Sequence, residues 1–168
     1  MKLFIINGPN LDMLGIREPR IYGKESYADL EHYLHRAAGE LGLQIEVFQS
    51  NHEGALIDEV HRAYFEAGSN VVLSNTFGAN PLRFAADELA AIVAAALKNA
   101  RAARAQSDGA HEKFIALDIG PTGRMLRPFG DLDFEDAVRA FAQVVRLGVE
   151  NGADLIFIET MSDGYESK

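Results

Sequence analysis

Five short apolar runs punctuate the chain: LFIING, IEVFQS, NVVLSN, FIALDIG and DLIFIET. Each is rich in β-branched or aromatic residues and ends in a polar or glycine turn, the pattern of a buried parallel strand. Between them the apolar positions follow the 3.6-residue period of amphipathic helices. The first helix is expected from about Ser26 to Leu41, with Tyr27, Leu30, Leu34, Ala37, Ala38 and Leu41 on one face and Gly42 as its stop. The stretch LIDEVHRAYFEAG predicts a second helix ending at Gly68. A third is expected to open at Asn80-Pro81, a cap followed by a first-turn proline, and to run to about Gln106. A fourth starts at Asp133 and ends near Gly152, with Asp133 and Asp136 assigned to capping and the first turn. QSDGAHE is the most loop-like internal segment.

The resulting β-α-β-α-β-α-β-α-β order predicts an α/β protein with parallel strands and right-handed crossovers. Five strands are too few for a closed eight-stranded barrel. A flavodoxin-like three-layer α/β/α fold is expected, with a five-stranded parallel sheet of order 2-1-3-4-5. Ligands in such sheets bind at the carboxyl ends of the strands. Those ends read NGPN, QSNHEG, SNTFGAN, DIGPTG and ETMSDG. The tail MSDGYESK reads as a helix start, with Asp163 and Glu166 spaced as a capping-box variant. It stops about one turn later, as if a covering helix had been removed.

Composition narrows this picture. A chain of 168 residues is expected to form one domain, and 48% hydrophobic with 24% charged residues is globular. A net charge of -9 argues against nucleic acid or an anionic membrane as partner, while a local basic pocket at the strand ends can take a small anion. The absence of cysteine excludes disulfides and thiolate metal sites. The opening apolar run is too short for a signal-peptide core, and charges interrupt the alanine-rich stretch from Phe84 to Ala105. A cytoplasmic protein without a cofactor is expected, as a monomer or a small homo-oligomer.

INGPNLDMLGIREPRIYG and QSNHEGALIDEVHRA resemble a type II 3-dehydroquinate dehydratase, from Leu3 to about Arg62. That resemblance implies a flavodoxin-like fold, a usual dodecamer, and loss of water from 3-dehydroquinate through an enolate. HRAYFEAGSNVVLSNTFGAN, IALDIGPTGRMLRPFGDLDFEDA and GADLIFIETMSDGYESK instead resemble the homocysteine-binding barrel of methionine synthases and homocysteine methyltransferases, from about Glu59 to Lys168. Both resemblances claim the helix LIDEVHRAYFEAG. The chain therefore reads as a chimera, a natural fusion or, the reading preferred, an engineered one, with its junction in or near that helix. Residues 1–60 are the dehydratase-like part and 61–168 the methionine-synthase-barrel-like part of a single domain.

The dehydratase resemblance implies Tyr22 as a base held as phenolate by Arg17, with Asn10 near the enolate-stabilising water and Asn75 as a substrate contact. A phenol with an ordinary pKa near 10 needs a close cation to serve as a base at neutral pH. Pro81 stands where that family's general-acid histidine would fall, and DIGPTG replaces its later histidine and arginine. The methyltransferase resemblance implies zinc held by cysteines, which this chain lacks. Plainer readings stand beside each residue. Arg17 and Tyr22 can be a loop cation and an exposed phenol, and Asn10 and Asn75 can cap turns. His52 suits loop hydrogen bonding, His32 and His35 a solvated helix face, and His61 helix packing. The readings carried forward are a chimeric scaffold without efficient catalysis, a weakened dehydratase, and a small-anion binding module.

Overall fold

The computed structural model describes residues 2–168. Its contacts divide the chain into two units, Met1–Leu56 and Ile57–Lys168. The first holds β1 (Lys2–Asn7), a 3-10 turn (Leu11–Met13), α1 (Pro19–Tyr22), α2 (Tyr27–Glu40) and β2 (Gln44–Gln49). The division falls inside α3 (Glu53–Glu66). The second holds most of α3, then β3 (Val71–Leu73), α4 (Ala86–Gln106), β4 (Phe114–Ile119), α5 (Phe134–Glu150) and β5 (Leu155–Ile158).

In the first unit, β1 and β2 pair in parallel from Lys2 opposite Gln44 to Asn7 opposite Gln49. α2 makes the crossover, and its start is locally encoded. Ser26 Oγ accepts from the Asp29 N–H at 3.2 Å, and the Asp29 carboxylate accepts from the Ser26 N–H at 2.8 Å. This reciprocal box satisfies two donors that a helix start otherwise leaves bare. At the other end Gly42, at φ +65°, turns the chain so that the Leu43 N–H reaches the Ala38 carbonyl.

In the second unit the parallel sheet has the order β3-β4-β5. β4 is its centre, with Ile115, Leu117 and Ile119 buried beside Phe65, Leu89, Val93, Leu97 and Val144. A Cβ at Gly148 would collide with the Leu117 side chain, so the missing side chain lets α5 lie close on β4. Gly68, at φ +99°, stops α3, with the Ser69 N–H returning to the Tyr64 carbonyl.

The α/β class and the parallel pairing follow the sequence pattern, and the strand orders are 2-1 and 3-4-5; a single five-stranded sheet is not shown. Several finer expectations need correction. α4 begins at Ala86 with Ala85 at its cap position, not at Pro81 with Asn80 as cap. The Asn80 side chain does accept from the Leu82 N–H, but only an isolated turn follows, because Ala85 is extended at φ -63° and ψ 158°. Asp133 occupies the cap position of α5 without a side-chain cap bond; its carboxylate pairs with Arg127 at 3.0 Å. Asp136 pairs with Arg139. β5 is not buried, since all four of its residues are exposed. The tail forms a turn in which the Tyr165 N–H donates to Asp163 Oδ1, and Glu166 points elsewhere. Among the described residues, no helix is long and apolar enough to cross a membrane.

Candidate functional site

In the first unit, the loop after β1 closes around a hollow of about 130 Å³ lined by Pro9, Asn10, Leu11, Met13, Leu14, Arg17 and Tyr22. Three of the four residues singled out in the sequence therefore meet in one place. The Arg17 guanidinium carbon lies 5.5 Å from the centre of the Tyr22 ring, a cation over an aromatic face. Tyr22 is 53% exposed, so its phenol is open to solvent. The loop geometry depends on Gly15, at φ +77°, where a Cβ would press on the Lys24 and Glu25 carbonyls. Pro19 starts the single turn of α1, which carries Tyr22.

A polar network supports this loop. The Asn10 backbone N–H donates to Asn51 Oδ1 at 2.7 Å, and Asn51 Nδ2 donates to Asp12 Oδ2 at 2.8 Å. Gln49 Nε2 donates to the Gly8 carbonyl and to Asn51 Oδ1. Asn10 itself is left-handed, at φ 66°, a conformation asparagine tolerates better than most residues. Asp12, Gln49 and Asn51 escaped the sequence reading. Their signal was the adjacency of β1 and β2, which sets GPNLD beside QSN. His52 is exposed, and its N–H donates to Ser50 Oγ. His32 and His35 are exposed on α2.

Asn75 lies in the second unit, exposed in the turn after β3. Around it the strand ends form a closed polar chain. The Asp118 N–H donates to Ser74 Oγ, Ser74 Oγ lies 2.7 Å from Thr76 Oγ1, and Thr76 Oγ1 donates to the Asp118 carbonyl. Asp118 is 6% exposed, and its buried Oδ1 has no partner. Burial, with a smaller contribution from the Glu159 charge, pushes its pKa up to about 6. Glu166 is also buried, and its Oε1 accepts from the Thr122 N–H at 2.8 Å and the Thr122 hydroxyl at 2.6 Å. Both acids went unmarked as buried groups in the sequence. A charge inside FIALDIG was a signal for Asp118; nothing local pointed Glu166 at Thr122.

His61 is buried on α3, and its Nε2 lies 2.9 Å from the Leu73 carbonyl, which makes that nitrogen the donor. Its Nδ1 and Asp58 Oδ1 lack partners. Burial lowers the His61 pKa and raises that of Asp58, each partly opposed by the other. A second hollow, of about 240 Å³, is lined by Arg124 and Arg139 among others. Arg124 pairs with Asp131 at 2.6 Å and Arg139 pairs with Asp136, so both cations are already engaged. Among the described residues no three His, Cys, Asp or Glu side chains are grouped to hold a metal. With no cysteine in the chain, its residues do not fit a thiolate zinc site.

The family model for homocysteine S-methyltransferase matches residues 25–168. The chain belongs to that family. It is also similar to 3-dehydroquinate dehydratases. That of Caldicellulosiruptor bescii is 53% identical over 73 residues, 44% of this chain and 50% of the relative. That of Dinoroseobacter shibae is 46% identical over 77 residues, 46% of this chain and 51% of the relative. The chain spans about half the length of the curated relatives it matches. Among solved structures, the homocysteine methyltransferase MmuM from Escherichia coli, in its oxidized form, matches with a TM-score of 0.58 at 21% identity. That match covers 98% of this chain and 55% of MmuM, and it concerns the fold alone. Sequence of two families is thus combined in one chain.

Proposed function

We propose that this protein is an engineered chimera whose dehydratase-like part keeps a partial 3-dehydroquinate site and turns it over inefficiently. The observation that carries the reading is the meeting of Asn10, Arg17 and Tyr22 around one hollow that has no histidine in its lining. Tyr22 would remove the proton next to the substrate carbonyl, with Arg17 as the cation beside its ring. Departure of the hydroxyl needs a proton donor. Pro81 stands where the dehydratase pattern has its histidine. Loss of a positioned general acid costs roughly 100- to 10,000-fold in rate. The hollow of about 130 Å³ is also smaller than the roughly 300–1,000 Å³ of ordinary ligand pockets, so the loop must open to admit a substrate.

Asn75 enters the proposal as a substrate contact through the dehydratase resemblance. The origin of the chain is part of the same reading: the division between Leu56 and Ile57 supports a junction within α3. So is the finer fold, a flavodoxin-like sheet of order 2-1-3-4-5, which amide protection along the outer edges of β1 and β3 would test. A small-anion module is less well supported, because Arg124 and Arg139 each have a carboxylate partner.

The deciding assay follows the ultraviolet absorbance of the conjugated dehydration product, beside a Tyr22→Phe variant. Slow turnover that disappears in Tyr22→Phe is the expected result. Turnover equal to that of a complete dehydratase, or unchanged in Tyr22→Phe, overturns the proposal.

A further inference from the structure

Three alternate residues of the loop after β1 are tied to two alternate residues at the end of β2. The Gly8 carbonyl accepts from Gln49 Nε2 at 3.3 Å, the Asn10 N–H donates to Asn51 Oδ1 at 2.7 Å, and Asp12 Oδ2 accepts from Asn51 Nδ2 at 2.8 Å. Gln49 Nε2 also donates to Asn51 Oδ1 at 3.2 Å. These partners fix the orientation of the Asn51 amide. Turned over, its NH2 would face two donors and its oxygen would face a carboxylate.

The bonds act on one wall of the hollow. Residues 9–14 form that wall, while Arg17 and Tyr22 come from a segment whose backbone bonds are local. There the Arg17 N–H reaches the Met13 carbonyl and the Tyr22 N–H reaches the Glu18 carbonyl. Asn10 has the costly conformation in the pinned wall. Its φ of 66° is left-handed, which a residue with a side chain holds only when its surroundings impose it. Its side chain makes no cap bond to the 3-10 turn that follows. From outside the loop, its N–H is held by Asn51.

We propose that Asn51 is a positioning residue: with Asp12 it locks Asn10 in the left-handed conformation and so sets the Asn10 side chain at the hollow. Asn51 lies outside the lining and acts through Asn10. This role rests on the dehydration proposed above. The dehydratase resemblance puts Asn10 near the water that stabilises the enolate. Such a contact is stronger in the transition state than in the bound substrate, so its loss falls on kcat rather than on KM. Freed from Asn51, Asn10 relaxes toward negative φ and its amide leaves that place. A displacement of about 1 Å can cost roughly 100-fold in rate. Asn51 and Asp12 are exposed, so water replaces part of what is lost and the effect is smaller.

Steady-state kinetics on 3-dehydroquinate, referred to folded protein by circular dichroism, test the role. Asn51→Ala should lower kcat about tenfold and leave KM within about threefold. Asn51→Asp should also lower kcat, because it keeps the acceptor for the Asn10 N–H but sets two carboxylates face to face. Adding Asp12→Asn to Asn51→Asp exchanges donor and acceptor, restores each bond and leaves the net charge unchanged. This exchange should bring kcat back to within about twofold of the wild type. Hydrogen exchange at the Asn10 amide reads the anchor without substrate: it should be fast in Asn51→Ala and slow again in the exchange variant. An unchanged kcat in Asn51→Ala, a change confined to KM, or an exchange that fails to recover kcat overturns the inference and leaves the dehydratase reading standing. A wild type without turnover overturns both.

Discussion

Replacing Asp118 by asparagine should stabilise the protein above neutral pH and leave it nearly unchanged in acid. The unfolded carboxyl titrates at 3.8 and the folded one at about 6. Between those values the folded state holds the extra proton, so stability falls as pH rises through the interval and levels off above it. The interval corresponds to about 3 kcal/mol at most, and screening by water at the strand end reduces this to about 1–2 kcal/mol. Asparagine keeps the shape of the side chain. Oδ1 makes no hydrogen bond that could be lost, and the chain through Ser74 and Thr76 uses only the Asp118 backbone. Urea unfolding followed by circular dichroism, at about pH 4 and about pH 8, gives the difference directly. The burial-lowered pKa of His61 makes both proteins lose stability as pH falls below 6.5, and this cancels in the comparison. An equal loss at both pH values, or a gain that is larger in acid, would refute the assignment of burial as the dominant cause.

Ser26→Ala should cost about 1 kcal/mol of unfolding free energy by removing the box at the start of α2. Its effect should fade in strong acid, because the Ser26 hydroxyl and N–H hold the Asp29 pKa down and protonation removes that partner. Glu166→Ala should cost about 1–3 kcal/mol, since it strands the buried Thr122 N–H and hydroxyl. Limited proteolysis should then cut the tail sooner, while Glu166→Gln, which keeps an acceptor, should be cut at an intermediate rate.

Much of the architecture was legible because its causes are local. The β1, β2 and β4 runs, the Ser26 start of α2 and the Gly68 stop of α3 each depend on neighbours within a turn or a strand. Local signals also misled. Asn80 caps its turn as its type suggests, yet extended Ala85 delays the start of α4 from Pro81 to Ala86. Asp133 has the right position for a cap, but Arg127 takes its carboxylate. The Arg17–Tyr22 loop was legible because its residues lie within one short segment. Its support from Asn51 was not, because that bond joins positions 41 residues apart.

The sequence by itself determined the α/β class, the parallel crossovers, the change of family along the chain and the lack of thiol ligands. The change of family follows from the two resemblances, and the rest from periodicity, turn residues and composition, which any segment carries in isolation. Only the tertiary structure decided that Asp118 is a buried carboxyl without a partner, that Glu166 answers Thr122 across 44 residues, and that β5 presents an open apolar edge. The physical reason is that desolvation and strand pairing belong to the assembled surroundings of a group. The same LIFI run reads as core in the sequence and becomes an edge once β4 is its only neighbour among the described residues.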